Sequence, residues 1–129
     1  MSPSIARLQA ILARQPGIRQ AWLFGSAAAD RAGYESDLDI AVELDHPLDV
    51  HTRLRLIDAL AAASGRPIDL IDLKTAGEPL LGQILQHGKR LLGSDVDYAN
   101  LIRRHVFDNE DFMPYVRRLL HERRQTWNR

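Results

Sequence analysis

Asp37 and Asp39 stand two residues apart inside an otherwise apolar run that continues through Leu38, Ile40, Ala41 and Val42. If that run is a strand, the two carboxylates point the same way, with Cα atoms ~6.5–7 Å apart. Side-by-side carboxylates repel each other and become favourable when a cation lies between them. Magnesium is the natural partner, since it takes hard oxygen ligands and completes its shell with water and substrate phosphates. Ala41 follows on the same face and, being small, is expected to leave room for a ligand. Taken alone, an Asp-x-Asp pair also describes a solvent-facing strand with ordinary acidic residues.

A second feature precedes the pair. Trp22, Leu23 and Phe24 run into Gly25-Ser26, and residues 27–36 separate that dipeptide from Asp37. Glycine after a strand permits a sharp turn and close backbone approach. Free N–H groups at the start of a following helix attract anions, and a serine hydroxyl adds a donor. A phosphate turn beside a carboxylate pair suits two-metal phosphoryl chemistry, in which the ions lie about 3.5–4 Å apart. A third carboxylate should come from the run Pro67 to Leu73, PIDLIDL, which offers Asp69 and Asp72. Three apart, they face opposite sides of a strand, so at most one reaches the site. Asp69 is favoured because it lies mid-strand between Ile68 and Leu70, where an idle aspartate would need a buried partner; Asp72 sits near the end, where it could cap the next segment.

These residues need elements to hold them. Ile5, Leu8, Ile11 and Leu12 have helical spacing and stop before Pro16-Gly17. Ile18 to Phe24 reads as a strand, and Ala27 to Asp30 as the start of a short helix. In Asp37 to Leu44, Leu38, Ile40, Val42 and Leu44 share one face, opposite Asp37, Asp39, Ala41 and Glu43. Pro47 and Asp49 open a helix with a predicted stripe of Val50, Leu54, Ile57, Leu60, Ala61 and Ser64, ended by Gly65. A short helix is expected within 77–88 and a brief edge strand at Arg90 to Leu92. From Asp95 the chain reads as helical, with a kink or a new helix start near Pro114.

The 129 residues are read as one domain, with a core of about 5–92 and a C-terminal helical segment of about 95–127. Hydrophobic residues make up 45% and charged residues 26%, an ordinary globular balance. Cysteine is absent, which fits a reducing cytoplasm, and neither a secretory signal nor an apolar run of the ~20 residues that span a bilayer is visible. The net charge of zero argues against direct binding to nucleic acid or an anionic membrane. It conceals an acidic stretch from Asp30 to Asp49, broken only by Arg31, and a basic end carrying Arg117, Arg118, Arg123, Arg124 and Arg129. His46, His51, His87, His105 and His121 are scattered without metal spacing, and Trp22 and Phe24 are expected in the core.

An apolar strand, Gly-Ser, ten intervening residues, Asp-x-Asp and a later strand carrying aspartate together resemble the DNA polymerase β-like nucleotidyltransferase superfamily. The small size resembles its minimal nucleotidyltransferase (MNT) branch. The resemblance implies an α+β fold with a mixed sheet flanked by helices. It implies magnesium, as two ions, with ATP as substrate. Gly25 and Ser26 would hold the triphosphate. Asp37, Asp39 and Asp69 would ligate metal, with Asp69 able to act as base toward an acceptor hydroxyl. The chain departs from the common Gly-Ser-Arg-Ala-Arg-Gly form, reading Gly25-Ser26-Ala27-Ala28-Ala29-Asp30, and so lacks two directional phosphate contacts.

MNT proteins are often antitoxins that adenylylate a tyrosine of a HEPN-domain toxin, and the resemblance implies that partner and that role. The basic end, with Phe112, Tyr115 and Trp127, could then be a docking helix, or equally an amphipathic helix packed on its own sheet. Two other functions are compatible with the residues: an antitoxin that acts by contact alone, and a small-molecule nucleotidyltransferase, which would need an acceptor pocket.

Overall fold

The computed structural model describes residues 4–25, 37–107 and 118–123. The elements are α1 (Ile5–Ala13), β1 (Ile18–Phe24), β2 (Leu38–Leu44), α2 (Val50–Ser64), β3 (Ile68–Asp72), α3 (Leu80–His87), β4 (Lys89–Gly93) and α4 (Asp95–Phe107). Residues 118–123 add a further helical turn. The strands form one mixed sheet in the order β3-β2-β1-β4. β1 runs antiparallel to both β2 and β4, whereas β2 and β3 are parallel. The parallel pair exists because α2 carries the chain back along the sheet between them, as a crossover must. The expected strand at Arg90–Leu92 is one residue longer at each end and lies at the sheet edge.

The pleat divides the core in two. On one face Ala21, Leu23, Leu38, Ile40, Val42 and Leu70 pack against Leu8 and Leu12 of α1 and Leu56 and Leu60 of α2. On the other, Trp22 and Ala41 pack with Leu73, with Leu81, Ile84 and Leu85 of α3, with Leu101, Ile102 and Val106 of α4, and with Leu119. Trp22 is therefore core, and Phe24 packs partly buried against the same cluster.

Two expectations fail here. Val50 and Leu54 are 72% and 56% exposed, and the buried stripe of α2 is Thr52, Leu56 and Leu60. The N-cap decides the phase: the Asp49 carboxylate accepts from the Thr52 backbone N–H at 2.8 Å and from its hydroxyl at 3.0 Å, which lets this threonine turn inward. Ala41 opens no room for a ligand, because it is fully buried beneath the second cluster. At the other end of α2, Gly65 adopts φ 69° and caps the helix as the sequence suggests. No helix among the described residues is long and apolar enough to cross a membrane.

Candidate active site

The acidic residues gather at one end of the sheet, on the face that carries Trp22 and Ala41. Register places them there. In the parallel ladder Asp39 is paired with Asp69 and Ala41 with Ile71, so Asp39 and Asp69 stand on the same face of neighbouring strands. Asp37 lies one pleat earlier, just before β2. Across the antiparallel ladder Phe24 pairs with Asp39, which brings the end of β1 and Gly25 to the same corner. Asp37 and Asp69 are exposed and Asp39 is half-buried. The exposure of Asp69 removes one argument for choosing it, since it needs no buried partner; its register beside Asp39 is what places it in the cluster.

Asp72 goes elsewhere. It is buried, and its carboxylate accepts from the backbone N–H groups of Leu48 at 3.1 Å and Lys74 at 2.9 Å. It thus ties the segment before α2 to the turn after β3. The alternation that separates two aspartates three apart puts one in the cluster and the other in a structural joint.

Electrostatics mark the cluster. Burial pushes the Asp39 carboxyl above its ordinary range, and the like charge of Asp69 beside it raises it further. Asp69 also favours the protonated form as a hydrogen-bond partner, and the charge of Asp37 adds to the effect. Among the described residues no cationic side chain offsets this at Asp39, nor do three acidic or imidazole side chains close into a ready metal cage. Both facts suit three carboxylates that repel one another: Asp39 and Asp69 are adjacent, and Asp37 stands further out.

The donor set nevertheless fits magnesium. All three side chains offer hard oxygen, one is partly desolvated, and the accumulated negative charge calls for a cation. Magnesium is commonly held by one or two carboxylates with substrate phosphates completing the shell, so a fully closed protein cage is not required.

Gly25 has φ 70°, a left-handed conformation that glycine adopts without strain. Its Cα packs directly against the Asp39 side chain, so an added Cβ would overlap Asp39 Oδ2 and lie 3.1 Å from its Cγ. The contact between these two predicted site residues has no signal in the sequence beyond the glycine itself. Ser26, Arg31 and the expected short helix at Ala27–Asp30 lie outside the described residues, as do Phe112, Tyr115 and Trp127. A cavity of about 310 Å³ lies on the far side of the sheet, between the end of α1 and α2, lined by Arg14, Gln15, Arg55 and Leu56 among others; it is remote from the carboxylates. His105, one of the scattered histidines, is buried in contact with Glu78 and takes no part in the cluster.

Comparison with known proteins follows the same lines. Residues 6–109 match the family model described as polymerase beta, nucleotidyltransferase. The protein adenylyltransferase MntA of Shewanella oneidensis is 37% identical over 82 residues, covering 64% of this chain and 59% of the relative, less than two thirds of its length. A solved toxin–antitoxin structure with AMP-PNP superposes with a TM-score of 0.72 at 27% identity, covering 97% of this chain and 96% of the other. A structure of a tri-AMPylated Shewanella oneidensis HEPN toxin in complex with MNT antitoxin gives a TM-score of 0.64 at 27% identity, covering 96% and 92%.

Proposed function

The chain belongs to the polymerase β nucleotidyltransferase family, and from that premise we propose that it transfers AMP from ATP to a tyrosine hydroxyl of a HEPN-domain toxin, acting in the cytoplasm as its antitoxin. The observation that carries this reading is the register of Asp39 beside Asp69, with Asp37 one pleat away and Gly25 folded over Asp39. Support for the acceptor comes from the adenylyltransferase name of the Shewanella oneidensis relative and from the AMPylated toxin in a similar complex.

Asp37, Asp39 and Asp69 hold magnesium in this reading, and Gly25 and Ser26 hold the triphosphate. When bound, the metal, as two ions, neutralises the triphosphate and polarises the reacting phosphate. Asp69, exposed at the start of β3, faces an acceptor arriving from solvent. The tyrosine oxygen forms a bond to the α-phosphorus while the bond from that phosphorus to the bridging oxygen breaks. Pyrophosphate leaves with the electron pair, and the hydroxyl proton passes to Asp69. Positioning and charge neutralisation supply most of the acceleration in reactions of this class.

Purified protein with ATP and magnesium should label its partner toxin on tyrosine, and Asp39→Asn should abolish labelling while leaving the complex intact. Wild-type protein that never labels the toxin would defeat the enzymatic reading. One observation favours a contact-only antitoxin instead: no arginine follows Gly25-Ser26 before Arg31. Full neutralisation by the Asp37→Ala, Asp39→Ala double variant would select that alternative.

A further inference from the structure

We propose that Gly25 is a positioning residue for the metal centre: the absence of a side chain at this position is what allows Asp39 to stand beside Asp69. The inference rests on the metal-site reading above and extends it, because it gives the glycine a task that precedes nucleotide binding.

Three constraints meet at one point. The antiparallel ladder fixes Phe24 opposite Asp39, so the next residue must leave the sheet across the Asp39 side chain. Gly25 leaves it with φ 70°. An added Cβ would overlap Asp39 Oδ2, lie 3.1 Å from Asp39 Cγ and reach ordinary contact, 3.4 Å, with its Cβ. The collision falls on the carboxyl end and spares the base of the side chain, so Asp39 can relieve it by rotating about χ1. Rotation takes the carboxylate away from Asp69, its partner across the parallel ladder. A methyl group at position 25 therefore dismantles the ligand set from behind without altering any ligand.

This separates two roles that glycine can play. Were its task only to bring the backbone close to phosphate, a side chain would weaken nucleotide binding and spare divalent metal. Were its task only the left-handed turn, asparagine would serve, since it tolerates that region far better than other non-glycine residues. A positioning role predicts that neither alanine nor asparagine serves, because both carry the Cβ.

The test is manganese binding by paramagnetic resonance, without nucleotide, in wild-type protein, Gly25→Ala, Gly25→Asn and Asp39→Ala. Gly25→Ala and Gly25→Asn should each weaken manganese binding by about 10- to 100-fold, as loss of a group that orients a ligand does. Thermal unfolding of Gly25→Ala in the presence and absence of Asp39→Ala gives an independent reading. The glycine substitution should lower Tm more when the aspartate is present, because the overlap is with its carboxylate. Folding of Gly25→Ala only in the Asp39→Ala background would be the extreme form of the same coupling. Unchanged manganese affinity with weakened ATP binding, or recovery by asparagine, would overturn the proposal. Wild-type manganese affinity in Asp39→Ala would overturn the metal-site reading beneath it.

Discussion

Removing a proposed site residue should make this protein more stable. Asp69→Asn keeps the size of the side chain and deletes the like charge that raises Asp39. Neighbouring strands lie ~4.8 Å apart. At ~5 Å two unit charges interact by roughly 1 kcal/mol in water and roughly 3 kcal/mol at an effective dielectric of 20. Asp69 is exposed and Asp39 only half-buried, so the value belongs near the aqueous end, and salt screening reduces it to about 0.5–1 kcal/mol. For a chain of this size that is a rise in Tm of roughly 2–4 °C, read by thermal melts in EDTA at neutral pH. The sign with pH follows from the same contact. The raised carboxyl of Asp39 disfavours ionisation in the folded state, so the wild type is unpenalised below the ordinary value of 3.8 and loses stability as pH rises through the raised one. The advantage of Asp69→Asn should therefore be present at neutral pH and vanish as the medium is acidified toward 3.8 and below. Adding magnesium should reverse the order, because only the wild type can use all three carboxylates. A lower Tm for Asp69→Asn in EDTA would refute the reasoning.

Asp72→Ala should do the opposite, costing roughly 2–4 kcal/mol in denaturant unfolding, because two backbone N–H groups lose a carboxylate acceptor; stability within 0.5 kcal/mol of wild type, an order-of-magnitude threshold for a surface change, would contradict that role. Arg123→Ala should lower stability by about 2–4 kcal/mol, since the guanidinium donates to the carbonyls of Ile84, Leu85 and Gly88 and stacks 5.0 Å from the Trp22 ring. Asp49 is held below the ordinary carboxylate range by the Thr52 backbone N–H and hydroxyl, so its capping contribution should be present above 3.8 and lost as pH falls through its lowered value; Asp49→Asn should flatten that part of an acid titration followed by circular dichroism.

The residue types were enough to place the strands. Strict alternation from Leu38 to Leu44 identifies β2, and the same period separates Asp69 from Asp72 by sequence alone. Parallel pairing is different in kind. Whether Asp69 stands opposite Asp39 depends on how far α2 carries the chain back, which no local pattern records. The stripe expected for α2 holds at Leu60 and Ile57 and fails at Val50 and Leu54 for a related reason. Val50 and Leu54 are apolar, but the Asp49 cap and the sheet beneath select Thr52, Leu56 and Leu60. Ala41 shows the limit of reading one face at a time: alternation assigns its side correctly, while α3 and α4, remote in sequence, decide that this part of the side is filled. The order of elements among the described residues is thus largely legible in the sequence, and the site is legible as a list of residues but not as a set of contacts.

Arg123 fastens the helical turn at 118–123 to the carbonyl end of α3 and lays its charge over Trp22, whose ring centroid lies 5.5 Å from that of Tyr98. Trp22 is fully buried in β1, the strand that runs into Gly25. With Trp127 replaced by phenylalanine, this indole becomes the sole emitter of its kind. Its fluorescence would change as the cation withdrew, reporting in real time whether the helical turn at 118–123 is seated while a partner binds.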